Sequence, residues 1–224
     1  MSVRAGVFAV ATACILAVGG VAFLVATRGG DGSMIRVGIG PRGAAAADGA
    51  VWVANADSNT VSRIEEHACR VTGTIKVGKA PFGVTAGDGA VWVTNARSNT
   101  VTRIDPRTRR ATATIALGRY SKGPVAIAAG EGAIWVASVK DDTVTRIDPS
   151  SNAVTGRIAV DPGPGAIAVG DGAVWVTSAE ADTVSRIDPA SGTVTATIPV
   201  GKVPAGAAVS GGTVWIANAK GDTV

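Results

Sequence analysis

The chain has 224 residues, of which 46% are hydrophobic but only 4% aromatic, with 30 glycines, 10 prolines and a formal net charge of +4. Burial must rest on Val, Ile and Ala, and so much Gly and Pro argues for short strands and tight turns rather than helices. The mild basic excess forms one small cluster with no stacking aromatics beside it, so no nucleic-acid partner is expected, and the two cysteines, Cys14 and Cys69, lie in dissimilar surroundings and exclude a disulfide framework.

From the N-terminus, positions 5–27 carry no charge. As a helix this run is about 34 Å long at about 1.5 Å per residue, enough for a bilayer core of about 30 Å. The expectation is a retained transmembrane anchor. A cleaved signal peptide is the competing reading, but the run is long for one and its Ala-x-Ala triplets fall early; a lipid-modified Cys14 is a weaker alternative. Arg4 precedes the run, and Arg28, Arg36 and Arg42 follow it, which on a plain count points the rest inward. Folded domains translocate largely regardless of charge, so the expected placement is extracytoplasmic, on a single-pass anchor. Residues 28–33 (RGGDGS) read as a flexible linker. The expected division is 1–33, anchor and linker, and 34–224, repeats.

From there one phrase recurs: GAVWVANADSNTVSRI, GAVWVTNARSNTVTRI, GAIWVASVKDDTVTRI, GAVWVTSAEADTVSRI and, cut short, GTVWIANAKGDTV. Each copy centres on a tryptophan, at Trp52, Trp92, Trp135, Trp175 and Trp215, and the interval between Trp92 and Trp135 is longer than the other three. A period of about 40 residues with several short strands per copy fits a four-stranded propeller blade, so the expected fold is all-β, a β-propeller of four complete blades and one partial blade. In the third copy the strands are placed at 126–129, 134–137, 143–147 and 153–159, numbered here first to fourth from the ring's centre outward. Asp88-Gly89, Glu131-Gly132 and Asp171-Gly172 join first to second strands as tight hairpins that tolerate positive φ, and Ile-Asp-Pro at Asp105, Asp148 and Asp188 starts the third-to-fourth turns. The chain stops at Val224, inside a third strand, so a fragment of a longer ring is expected. Met34 to Pro41 (MIRVGIGP) matches the end of a repeat and is expected as a spare outer strand for closing the last blade.

These copies, VWVTNARSNTVTRIDPRTRRATATIALG and its sisters, resemble the YVTN-type propeller repeats, with Trp where those have Tyr, and are similar to the virginiamycin B lyase-like propeller family. The resemblance covers 34–224. It implies a seven-bladed ring and a metal-dependent enzyme that linearises a cyclic streptogramin by elimination, with a histidine-containing general-base site. The single histidine, His67, falls in a third-to-fourth turn (EEHACR) and cannot take that role, so no catalytic residue, metal ligand or cofactor is assigned. Either the catalytic residues lie in blades not present, or the chain is not an enzyme.

Identity between copies reads as blade building. The tryptophans are expected to pack between blades. Arg63, Arg103, Arg146 and Arg186 are expected to pair with the acids two positions on, Glu65, Asp105, Asp148 and Asp188, while Asn55, Asn95 and Asn218, with Ser138 and Ser178, are expected to satisfy turn backbone. Function is sought where copies differ. Five positions after each Trp stand Asp57, Arg97, Lys140, Glu180 and Lys220, and the one insertion, within 118–124, adds Arg119, Tyr120 and Lys122. The second-to-third turns and the inter-blade connections are expected on one face, so these eight residues form the candidate binding rim. The basic run Arg107, Arg109, Arg110 is placed on the opposite face. The expected function is a membrane-anchored, non-catalytic module binding an unknown ligand or protein partner; the alternative is a lyase-like or hydrolytic enzyme completed by further blades.

Overall fold

The structure is a computed structural model that describes residues 14–18, 21–26, 33–119 and 121–224, with side chains from residue 34 onward. Its N-terminal part corrects the expectation of a continuous helix over 5–27. Cys14–Val18 (β1) and Val21–Ala26 (β2) form an antiparallel hairpin, and Ser33–Ile35 (β3) pairs with β2. The remainder of that segment lies outside the described residues, among which no helix is long and apolar enough to cross a membrane. Short apolar runs separated by Gly19-Gly20 satisfy a hairpin as well as a helix, since neither run is long enough for periodicity to discriminate. The spare outer strand is corrected too: β3 bonds to β2 and not to the last blade, setting Ile35 against Val53 and Ile64.

Four four-stranded antiparallel sheets follow among the described residues. The first holds Pro41–Ala47 (β4), Ala50–Asn55 (β5), Thr60–Glu65 (β6) and Arg70–Lys76 (β7); the second Pro81–Gly87 (β8), Ala90–Asn95 (β9), Thr100–Asp105 (β10) and Arg110–Ala116 (β11). The third holds Pro124–Gly130 (β12), Ala133–Ser138 (β13), Thr143–Asp148 (β14) and Ala153–Ala159 (β15), extending most of the expected strands slightly at their ends. The fourth holds Pro164–Gly170 (β16), Ala173–Ser178 (β17), Thr183–Asp188 (β18) and Thr193–Pro199 (β19), and the fifth copy contributes Pro204–Ser210 (β20) and Thr213–Asn218 (β21) as a pair. Each is a simple meander, as propeller blades are.

Both faces of a blade are buried, and the second strand shows how. In β5, Ala50, Trp52 and Ala54 share one face by the period of two, and with Val61 and Ile75 they pack against Val91, Val93 and Ile104 of the next blade. Trp92 and Trp135 repeat the contact against Ile134, Val136 and Ile147, and against Val174, Val176 and Ile187. The inter-blade role expected of the tryptophans is thus observed. Trp52, Trp92 and Trp135 are fully buried, whereas Trp215, with no blade described beyond it, is 54% exposed.

First strands are rich in Gly and Ala because they meet backbone on backbone. A Cβ on Gly43 would lie 2.4 Å from the Phe82 carbonyl oxygen, and one on Gly83 2.5 Å from that of Val125. Each first strand also slips register just after its proline, between Pro41 and Ala44, Pro81 and Val84, Pro124 and Ala126, Pro164 and Ala166, and Pro204 and Gly206. Such bulges free a residue from the ladder and re-aim its side chain. They sit at the inner end of the face that carries the variable turns.

Candidate functional site

The backbone itself joins the two kinds of loop on that face. In every copy the N–H of the variable tip residue donates to the carbonyl of the connection leading into the same blade: Asp57 to Ile39 at 3.1 Å, Arg97 to Lys79 at 3.1 Å, Lys140 to Lys122 at 3.2 Å, Glu180 to Pro162 at 3.3 Å and Lys220 to Lys202 at 3.1 Å. One position later, Ser58 and Ser98 accept the N–H of Ile39 and Lys79, and Asp141 that of Lys122. Asp57, Arg97, Lys140, Glu180, Lys220, Lys122 and Arg119 are all exposed on this face, while Tyr120 lies outside the described residues.

A further tie runs between blades. Asn59, Asn99, Asp142 and Asp182 hold φ between 49° and 56°, a left-handed conformation that Asn and Asp tolerate, and each side chain accepts an N–H from the next connection, at Ala80, Gly123, Gly163 and Val203. The expected turn role of the other asparagines needs correction. Asn55 and Asn95 are buried and donate to side-chain hydroxyls, Thr60 and Ser62, and Thr100 and Thr102, at 2.9–3.1 Å. They sit against a connection glycine: a Cβ on Gly38, Gly78 or Gly201 would lie 2.7 Å from the Cγ of Asn55, Asn95 or Asn218. Where Asp161 replaces that glycine, the partner is Ser178, whose hydroxyl donates to the Asp161 carbonyl.

The insertion solves the same problem differently. With Ser138 in place of Asn, the inserted Ser121 is fully buried and its hydroxyl pairs with Thr145 at 2.7 Å, the position Asn95 reaches in the preceding blade through Thr102. Arg157, where the other fourth strands carry Thr, donates to the Leu117 carbonyl at 2.7 Å and to Ser121 at 3.4 Å. The insertion is clamped to the body of the propeller, so it presents Arg119 and Lys122 from a fixed base.

Sequence reasoning missed the inner ring of this face. The register slip lifts Arg42, Phe82, Val125, Gly165 and Ala205 out of their ladders at the inner end of this face. Arg42 lies over the Phe82 ring at 5.8 Å from its centroid, and Phe82 keeps 39% exposure. A cation on a half-exposed aromatic offers one apolar and one charged surface to a ligand. The signal available was the repeated proline: the residue after it differs in every copy.

The opposite face is built differently. Arg63, Arg103, Arg146 and Arg186 do not pair with the acids two positions on; they lie 5.4–5.8 Å from the ring centroids of Trp52, Trp92, Trp135 and Trp175, their direct cross-strand partners. The acids cap turns instead. Asp105 accepts N–H groups of Arg107 and Thr108, and Asp148 the hydroxyl and N–H of Ser150 and the N–H of Ser151, which hold both carboxyls below the ordinary range. A shallow hollow between Arg146, Asp148 and Thr155 lies here, but its carboxylate is already committed to that turn. His67 is exposed beside Glu65 at 3.7 Å, and Arg107, Arg109 and Arg110 are exposed on the same side. Among the described residues no His, Cys, Asp and Glu cluster as a metal site would require.

Over residues 33–224 the sequence matches the virginiamycin B lyase family. No curated protein matches it. A catalytically inactive histidine-to-alanine virginiamycin B lyase from Staphylococcus aureus, solved with quinupristin, superposes with a TM-score of 0.71 at 23% identity, covering 80% of this chain and 62% of that one. Hydrazine synthase of Kuenenia stuttgartiensis gives 0.67 at 18%, covering 75% and 51%, and the computationally designed protein Ika8 gives 0.73 at 14%, covering 92% and 68%. At these identities the likeness is one of fold, and a shared fold carries no shared activity. The chain spans about half of that hydrazine synthase chain and about three fifths of that lyase.

Proposed function

The chain belongs to the virginiamycin B lyase family, and on that premise we propose that it is a ligand-binding propeller, non-catalytic as it stands, whose binding surface is the face carrying the variable tips and, at its inner end, Arg42 and Phe82. The observation that supports this is the convergence of the variable positions on one face. The tips are bonded to the connections, and the bulged first strands bring Arg42 over Phe82 on the same face. We further propose that residues 5–27 attach the propeller to a membrane, extracytoplasmically. The unbroken uncharged run supports attachment. The β1–β2 hairpin in part of that run argues against its being one continuous helix in this conformation.

The family supports a second reading, a streptogramin lyase whose catalytic groups come from blades outside this sequence. The lyase from Staphylococcus aureus was solved with quinupristin, so quinupristin is the probe that separates the two. Calorimetric titration of this chain is expected to show binding without turnover, weakened about two- to fivefold by Arg42→Ala with Phe82→Ala, since a cation–π pair at an exposed site is worth about 0.5–1 kcal/mol. Ring opening by this chain would overturn the non-catalytic reading. Absence of binding, or binding indifferent to those two substitutions and to replacement of Arg97, Lys140 and Glu180 together, would overturn this face as the binding surface for such a ligand.

A further inference from the structure

The paired loop tips carry a charge pattern that neither loop shows alone. Because each second-to-third tip is bonded to the connection beneath it, side chains on separate loops become neighbours: Ile39 with Asp57, Lys79 with Arg97, Lys122 with Lys140, Pro162 with Glu180, and Lys202 with Lys220. Like charge is set beside like charge in the second, third and fifth copies, while the two acidic tips stand beside uncharged residues. All ten side chains are exposed.

Folding alone does not favour this arrangement. Like charges on neighbouring positions repel, and among the described residues none of the six cations makes an ion pair. A Lys–Glu arrangement would hold the same backbone bonds without the repulsion. The carboxylates nearest in sequence to the third-blade cations are Asp141 and Asp142, and both are occupied by backbone N–H groups, of Lys122 and Gly163. On the second blade the equivalent positions are the neutral Ser98 and Asn99, which bind the N–H groups of Lys79 and Gly123. Neighbouring blades thus present Lys79, Arg97, Lys122 and Lys140 along one arc, four cations against the two carboxylates of Asp141 and Asp142, which keep their charge while accepting those neutral N–H groups.

We infer that this arc binds a flexible acidic polymer, a chain of repeating phosphate or carboxylate groups, running along the rim of the second and third blades. This rests on the proposed binding face and names a partner class for it. Sheets packed face to face stand about 10 Å apart, so one small anion cannot bridge the two pairs, whereas a polymer with repeating charges can. Three of the four cations are lysines, compact point charges on flexible stems rather than planar forks, which suit repeated anionic groups without a fixed geometry. The exposed setting means attraction that decays over about 10 Å at about 0.1 M salt.

The test is fluorescence anisotropy of the full chain with two labelled probes of equal charge, linear inorganic polyphosphate and poly-glutamate, over a range of salt; their relative affinity separates phosphate from carboxylate recognition. Lys79→Gln, Arg97→Gln, Lys122→Gln and Lys140→Gln combined are expected to weaken binding about tenfold or more at low salt. They should also flatten the dependence of log affinity on log salt by about 0.7 for each anionic group no longer neutralised. Asp57→Lys with Glu180→Lys should tighten binding, a gain that misfolding cannot produce. Arg107→Gln, Arg109→Gln and Arg110→Gln on the opposite face should leave it unchanged. Equal loss in that control, no loss in the four-cation variant, preference for duplex DNA of matched charge, or binding only to anionic lipid vesicles would each overturn the inference. If quinupristin binds at Arg42 and Phe82 while neither polymer binds the arc, the inference fails and the binding face stands; if neither is bound, both fall.

Discussion

Replacing Gly78 by Ala tests the logic that builds the face of the variable tips from its connections. The added Cβ would lie 2.7 Å from Asn95 Cγ, 2.8 Å from its Cβ and 2.9 Å from Nδ2. Since the clash includes the stem and not only the tip of that side chain, relief requires backbone movement. Overpacking of this kind costs about 1–3 kcal/mol. Asn95→Ser alone removes the donations to Thr100 and Thr102 at 3.0 and 2.9 Å, about 1–2 kcal/mol at about 1 kcal/mol for each neutral bond. The fourth blade already combines a non-glycine, Asp161, with Ser178. The double variant is therefore expected to be more stable than the sum of the single losses by about 0.5–3 kcal/mol, the usual coupling between touching residues. Thermal unfolding followed by tryptophan fluorescence gives the cycle, with Gly78→Ala lowering Tm by about 2–12 °C at about 2–4 °C per kcal/mol for a chain of this size. Additive effects, or a Gly78→Ala chain as stable as the parent, would refute the claim that glycine stands there to make room for asparagine.

Two further outcomes follow from packing and from turn chemistry. Trp135→Ala should cost about 3–5 kcal/mol, as loss of a buried aromatic does, and Trp215→Ala far less because that ring is half in solvent; chemical denaturation that ranks them equally would contradict the inter-blade role. Asp148 is held below the ordinary carboxylate range by hydrogen bonds from the Ser150 hydroxyl and the Ser150 and Ser151 N–H groups. Its folded pKa lies below its unfolded one, so its contribution is present above about pH 4 and is lost as pH falls through the folded value. Asp148→Asn should therefore flatten the acid limb of a stability-against-pH profile below about pH 4 while changing its neutral part less; an acid limb identical to the parent's would show the carboxylate is not engaged in solution.

What the sequence determined is the blade. A tryptophan in every copy, alternation about it, Asp-Gly hairpins and Asp-Pro caps are local instructions, each satisfied by nearby stretches of the chain, and they located the irregular connection and the variable tips as well. What only the tertiary structure decided depends on register and on curvature between blades. Arg63 reads as a partner of Glu65 in sequence, but strand pairing sets it opposite Trp52. Arg42 and Phe82 stand a whole blade apart in the chain and meet because two bulged first strands approach backbone to backbone. Ser121 stands in for an asparagine amide only once the fold brings it to Thr145. An apolar run at the N-terminus satisfies a helix by composition and a hairpin by its glycines, and composition alone does not choose between them. The charged tips carry the same lesson: lysine and arginine were legible one by one, but their pairing exists only through a backbone hydrogen bond between two loops, so the face they make belongs to the fold and not to any stretch of the chain.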